Sequence, residues 1–461
     1  MKRWGLVPLV LIVAITLCSC RHETSDAAVL ESTDAKTTQT TNEVHIEDLQ
    51  DAYDEVLNHA SAEFIGGHPV DEAFLTWYTN TYGASALDAL QSEGNYEDPE
   101  DWYRACGCSI HVLWYEYCKA TGIESYSFCN VYEPQTAEAD AITFTFTGDV
   151  NLAEGVATRN YMDRQKYGLK DCFSKDLLDI MQSADVFVVN NEFSFTDRGE
   201  ALPGKAFTFR ANPALVREIM MIGTDVVTLG NNHVWDFGEI GMKDTISTFR
   251  DIEVPFIGAG ENLEEAKKIL YYVANGRKIA LVDATQIERT YDYTKEATES
   301  RAGVLKCLQP AAYCEVIEEA KKNADYVIAV VHWGTEGNAR YGQDQVNLAK
   351  AFIQSGADVI VGGHPHCLQG IEFMDGVPIF YSLGNYWFSS TSNMPTAYDT
   401  GLAEVCIHSD GEISLEFIPC QFSFGQTSLV TSPKECREIY DYVESISDTL
   451  RISDDGVVTQ K

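Results

Sequence analysis

From residue 141 onward, short β-rich runs alternate with helical patterns roughly ten to fifteen residues long, and this alternation limits the possible folds more than any other feature of the chain. The runs are Ile142–Thr147, Val186–Asn190, Val226–Leu229, Lys278–Val282, Tyr326–Val331, Val359–Val361 and Ile379–Ser382. Helical spacing of apolar residues falls between them, over Lys175–Ser183, Pro213–Ile222, Glu239–Arg250, Pro310–Lys322 and Gln343–Ser355. Strand followed by helix, repeated, predicts an α/β layered domain, and such domains gather their ligands at the C-terminal ends of the strands. A hairpin follows, Leu402–Ile407 and Ile413–Ile418 around Ser409-Asp410-Gly411, and then a closing amphipathic helix over Glu435–Ile446.

Polar residues that resist burial stand at those strand ends one after another. Asp149 follows Thr147-Gly148, Asn191-Glu192 follows Val188-Val189-Asn190, and Asn231-Asn232-His233 follows Leu229-Gly230. His332 follows Val330-Val331, and His364-Pro365-His366 follows Gly362-Gly363. Any one of them alone is as well explained as a helix cap or a satisfied core group. The whole succession is not, because capping does not call for imidazoles. Carboxylate, amide and imidazole together form a donor set for a divalent ion such as zinc, manganese or iron. Glycine at 148, 230, 362 and 363 lets backbone approach a ligand closely.

The blocks FTFTGDVNLAEG, VFVVNNEFSFTDRG, FTFRANPALVREIMMIGTDVVTLGNNHVWDFG, VPFIGAGENLEEA, VVHWGTEG, QSGADVIVGGHPHCLQGIE and IFYSLGNYWF resemble, in this order, the CapA or poly-γ-glutamate capsule synthesis family of the calcineurin-like metallophosphoesterase superfamily. The resemblance runs from about residue 141 to the C-terminus. It implies a layered metallophosphoesterase-like β-sandwich flanked by helices, working with one or two divalent metal ions on an anionic polymer or a phosphoester. Membrane-bound capsule synthesis proteins are the partners it implies.

Carried over residue by residue, it makes Asp149 a ligand of the first ion, Glu192 the bridging carboxylate and Asn232 a ligand of the second ion. His332 and His364 complete the second site, and His366 returns to the first. His233 takes the place of the histidine that protonates a leaving oxygen. One departure stands out: the superfamily's usual first block is Asp-x-His, and this chain has Asp149-Val150-Asn151, which implies that one metal site is weak or absent. Asp236 either holds the His233 imidazole or caps the helix beginning near Phe237. Arg210 either clamps an anionic substrate, its guanidinium matching phosphate or carboxylate, or forms a surface ion pair.

The N-terminus carries Lys2-Arg3, the apolar run Leu6–Leu17 and then Leu17-Cys18-Ser19-Cys20. A positive flank, a short apolar stretch and a small residue before the break read as a secretory signal over residues 1–20, the alternative being an uncleaved anchor. Leu-x-Ser-Cys resembles a bacterial lipobox, which makes Cys20 the lipidated residue and places the protein on the extracellular face of a bacterial membrane. Residues 21–42, rich in Ser, Thr, Asp and Glu, read as a flexible tether. Residues 43–140 read as a small acidic helical module, with apolar spacing at Phe74, Leu75, Trp77 and Tyr78. Its Cys106, Cys108, Cys118 and Cys129 fit buried thiols or a local disulfide, and fit common zinc spacing poorly.

The formal charge of −37 excludes nucleic acid as a partner, because binding it requires a basic stripe to neutralise phosphates. The same charge attracts metal cations and repels polyanions at long range.

Overall fold

A computed structural model describes residues 72–93, 113, 117, 120–121, 131–389 and 400–461. The expected signal, tether and Cys20, and the cysteines at 106, 108, 118 and 129, lie outside these residues. The chain divides into two compact units, Met1–Thr121 and Gly122–Lys461.

In the smaller unit, helices Glu72–Tyr82 and Ala84–Glu93 are joined at Gly83. The spacing read from the sequence becomes one buried face of Phe74, Leu75 and Tyr78, with Leu87 and Leu90 buried on the second helix. The Phe74 ring meets Tyr117 edge-on at 5.4 Å.

The larger unit is built on two sheets. An eight-stranded sheet runs Gln426–Leu429, Ile413–Ser423, Thr400–His408, Ala141–Val150, Val186–Asn191, Val226–Thr228 and Phe256–Ile257, with Asn385–Trp387 added beside Ala141–Val150. A seven-stranded sheet runs Val131–Tyr132, Leu270–Ala274, Arg277–Thr285, Tyr326–His332, Val359–Gly363, Val377–Phe380 and Ile371–Met374. Val131–Tyr132, which composition groups with the helical module, thus pairs in parallel with Tyr271–Tyr272 in the larger unit.

Side-chain alternation along the strands sorts the apolar residues into two cores. Ile142, Phe144, Phe146, Val186 and Val188 of the first sheet share a core with Ile279, Leu281, Ile328, Val359 and Val361 of the second, so the sheets meet face to face. The alternate residues Ala280, Val282, Val327, Ala329 and Ile360 point outward. They are covered by helices Ala311–Asn323 and Gln343–Ser355 through Tyr313, Ile317, Leu348 and Phe352. Because the central strands are covered on both faces, they read as continuous apolar runs. Helices Lys175–Ser183 and Gly238–Asp251 bury Leu177, Leu178 and Met181, and Met242, Ile246 and Phe249.

The layered α/β sandwich flanked by helices is the architecture the sequence predicts, with differences at element ends. Pro213–Ile222 forms as a 3-10 turn, Pro213–Leu215, followed by helix Val216–Met221. The strand expected over Ile379–Ser382 sits at Val377–Phe380, admitting Pro378, and pairs antiparallel with Ile371–Met374. The hairpin forms with longer arms, and Gly411 turns it at φ 100°. The closing helix is Pro433–Ser445, capped by Ser432, whose hydroxyl accepts from Glu435 N.

Candidate metal centre

Parallel pairing carries the strand-end residues to one place. Ala141–Val150 lies between Val186–Asn191 and Asn385–Trp387, with Asp149 opposite Asn190 on one side and Asn385 on the other. In the second sheet His332 is in register with Gly363, immediately before His364. Neighbouring segments of the first sheet approach so closely here that a side chain on Gly148 is excluded: a Cβ there would lie 2.0 Å from Gly384 O, just ahead of Asn385–Trp387. His364 and His366 hold positive φ, 97° and 56°, a conformation that non-glycine residues adopt at a cost and that aims both rings into the cluster.

Asp149, Glu192, Asn232, His233, His332, His364 and His366 are all buried, and all seven belong to one constellation. His332 Nε2 is its hub. It lies 2.8 Å from Asn232 Oδ1, 3.2 Å from His364 Nδ1 and 3.4 Å from Glu192 Oε1. On the other side of Glu192, His366 Nε2 is 3.8 Å from Oε1, while His366 Nδ1 is 3.0 Å from Asp149 Oδ2 and 2.9 Å from Asn385 Oδ1. Glu192 therefore stands between two donor groups, Glu192–His332–His364 and Asp149–Glu192–His366.

The donor set fits divalent ions. Both Glu192 carboxylate oxygens are buried without a hydrogen-bond partner among the described residues, a costly state for a carboxylate unless a cation answers it. Burial, then the neighbouring Asp149, pushes the Glu192 carboxyl well above its usual range. Burial pushes His332 down to about 3 and His364 well below the usual imidazole value, so both rings are neutral and keep a lone pair for a metal. Burial opposes both members of the other pair, but the hydrogen bond and mutual attraction of Asp149 and His366 prevail. They hold the carboxyl low and the imidazole high.

His233 has a support of its own. Its Nδ1 is 2.7 Å from Asp236 Oδ2, and its Nε2 is 3.9 Å from Glu192 Oε1. Burial lowers the His233 pKa, with Asp236 opposing. Of the two readings of Asp236, the structure has the imidazole contact: helix Gly238–Asp251 starts after Phe237 with no side-chain cap. Asp236 also accepts from Phe209 N and from Lys205 Nζ, each at 2.7 Å. Arg210 is half-buried and lies with its guanidinium 4.8 Å from the Phe237 ring centre, with no ion pair to it among the described residues.

Other residues of the site were not singled out from the sequence. Asn190 donates to Asp149 Oδ1 at 2.8 Å. Lys205 joins Asp236 to Glu288, whose Oε1 is 3.1 Å from Nζ, and also donates to Asn232 O. Glu336 can reach the His364–His366 pair from the exposed side. Asn385 follows the strand Val377–Phe380 in the block SLGN, and the strand-end rule that found His332 applies to it equally. Lys205 left no comparable signal, since it lies in a loop.

The family model for the bacterial capsule synthesis protein PGA_cap matches residues 143–390. The capsule biosynthesis protein CapA of Bacillus anthracis is 30% identical over 310 residues, covering 66% of this chain and 73% of that protein. The PGA biosynthesis protein CapA of Bacillus subtilis (strain 168) is 32% identical over 287 residues, covering 62% and 73%. Among solved structures, 5'-nucleotidase from Candida albicans SC5314 aligns with 62% of this chain and 53% of its own at 11% identity and a TM-score of 0.32, too low for the fold to rest on it. With more than half its length matched by the family model, and with these relatives, the chain belongs to the bacterial capsule synthesis protein PGA_cap family.

Proposed function

We propose that this protein is a metal-dependent hydrolase or transferase, anchored through Cys20 on the extracellular face of a bacterial membrane, that acts on an anionic polymer or its linkage in capsule or poly-γ-glutamate synthesis. The observation that carries this reading is Glu192, a buried carboxylate with neither oxygen hydrogen-bonded among the described residues, set among His332, His366 and His233 at 3.4, 3.8 and 3.9 Å. Asn232, His332, His364 and Glu192 would hold one ion, and Asp149, His366 and Glu192 a second. Divalent ions there would supply positive charge to the oxygen of an attacked phosphoryl or carbonyl group and would lower the pKa of an attacking water.

The rest is the work of the chain. Asp236 fixes the His233 ring through Nδ1, leaving Nε2 on the side of Glu192 to take up or return a proton at a leaving atom. Lys205 holds Asp236 in turn. Phe209 and Phe388, with ring centres 4.5 Å from His233 and 4.7 Å from His366, cover the imidazoles and limit water. Arg210, without an ion-pair partner among the described residues, is the cation proposed to meet an anionic substrate.

The test measures bound metal, and turnover of a chromogenic phosphodiester and of poly-γ-glutamate, for wild type, His233→Ala and His364→Ala. We expect His364→Ala to lose metal, and His233→Ala to keep it while losing about a hundredfold in rate. Turnover of the phosphodiester alone would point to a general phosphoesterase. Polymer binding without turnover, unaffected by His364→Ala, would make the protein a non-catalytic assembly factor.

A further inference from the structure

Two amide groups in this site are only half used. Asn151 is 1% exposed, and its Oδ1 accepts from Ala153 N at 2.7 Å. Asn385 is 2% exposed, and its Oδ1 lies 2.9 Å from His366 Nδ1. The Nδ2 of each is buried with no hydrogen-bond partner among the described residues. Their neighbours show what full use looks like: Asn190 donates to Asp149 and accepts from Asn231, and Asn231 donates to Asn190 and to Asn191 O. Buried amides left with a free donor are uncommon in folded proteins and call for a partner.

Both amides flank Asp149. Asn385 is its partner across the parallel pair, and Asn151 lies two residues on, just past the strand end. Asn151 N donates to Trp387 O, which ties the two segments together at this point. The oxygens are committed, Asn151's to a backbone N–H, which fixes the orientation of that amide. What each amide has left to offer is an N–H. A donor of that kind suits an anion and cannot ligate a cation.

We propose that Asn151 Nδ2 and Asn385 Nδ2 form a donor pair for an oxyanion of the substrate, a phosphoryl or carboxyl oxygen, seated beside Asp149. The inference rests on the metal-dependent reading, since Asp149 and Glu192 repel an anion until cations balance them. Fixed, dehydrated donors aimed at developing negative charge act without reorganising, which is how buried amides assist acyl and phosphoryl transfer. Asn151, as a donor, stabilises on the substrate the charge that a further metal ligand would have stabilised through an ion.

The experiment titrates inorganic phosphate, and separately glutarate, into the full-length chain loaded with manganese, following heat by calorimetry and bound metal by mass spectrometry. Asn151→Asp and Asn385→Asp keep the acceptor oxygen and the volume, and replace the donor. Asn151→Ala removes the donor without adding charge. Loss of one donor should weaken anion affinity about tenfold or more in each variant, with metal content no lower than in wild type. Tighter phosphate than glutarate assigns the pair to phosphoryl groups, and the reverse order assigns it to carboxyl groups. Equal affinity in wild type and Asn151→Ala overturns the proposal, even where Asn151→Asp weakens binding, because that pattern reports charge repulsion alone. Failure of metal-loaded wild type to bind either anion overturns it as well. A wild-type chain that takes up no metal overturns the metal reading first, and this inference with it.

Discussion

At the residue scale the site depends on buried groups whose charges answer one another. Lys205 and Asp236 are both buried and 2.7 Å apart, and Glu288 Oε1 is 3.1 Å from the same ammonium. Removing one partner of a buried pair strands the other. Lys205→Met should therefore lower stability by about 3 kcal/mol, read from the urea midpoint at constant slope. An unchanged midpoint would mean that water already screens the pair. The histidines and carboxylates of the cluster were legible in the sequence because each closes an apolar run, where a polar side chain has no business in a core. Lys205 was not, because the groups it holds, Asn232 and Asp236, are 27 and 31 residues further on. Asp236 was legible as a choice between two roles, and the 2.7 Å contact to His233 made the choice.

At the element scale the hairpin Thr400–His408 and Ile413–Ser423 sets Glu404 directly opposite Glu416. Like charges facing across a ladder are destabilising. Burial, then Glu404 and Asp455, raises Glu416 from 4.5 to about 7, and burial and Asp185 raise Glu404. Raised carboxyl values mean that the folded chain keeps protons the unfolded chain has released. The associated stability is present below pH 4.5 and is lost as pH climbs through about 7. Glu416→Gln should flatten that decline and gain about 1 kcal/mol over wild type at pH 8, after allowing for solvent screening. Thermal unfolding at pH 5 and pH 8 checks this, and parallel slopes for the two proteins would refute it.

Element existence was readable where a period was sustained: helices Lys175–Ser183 and Gln343–Ser355 fall where the apolar spacing puts them. Short strands were not readable. Asn385–Trp387 and Val131–Tyr132 are two or three residues long and owe their extended form to the neighbours they pair with, Ala141–Val150 and Leu270–Ala274.

At the scale of the whole molecule the chain carries a formal charge of −37, and its site is proposed to receive an anion. Long-range repulsion of this kind is screened by salt. Raising ionic strength from about 10 to about 150 mM should increase the apparent affinity for poly-γ-glutamate severalfold, the opposite of the salt response of a basic polymer-binding protein. A binding isotherm at each salt concentration measures it. Weakening with salt would mean that a local cationic surface governs the encounter.

The sequence by itself determined the layered α/β class, the strand ends that carry the donors, and the membership of those donors in one chemical set. These are properties of period and residue type, which each segment holds locally. Only the tertiary structure decided that Asn385 stands beside Asp149, that Glu192 is left, among the described residues, with two bare oxygens between two groups of candidate donors, and that the amides of Asn151 and Asn385 keep donors unpaired there. Pairing across two sheets brings residues 149, 192, 232, 332, 364, 366 and 385 together, and no local pattern encodes which groups will find partners once water has been removed.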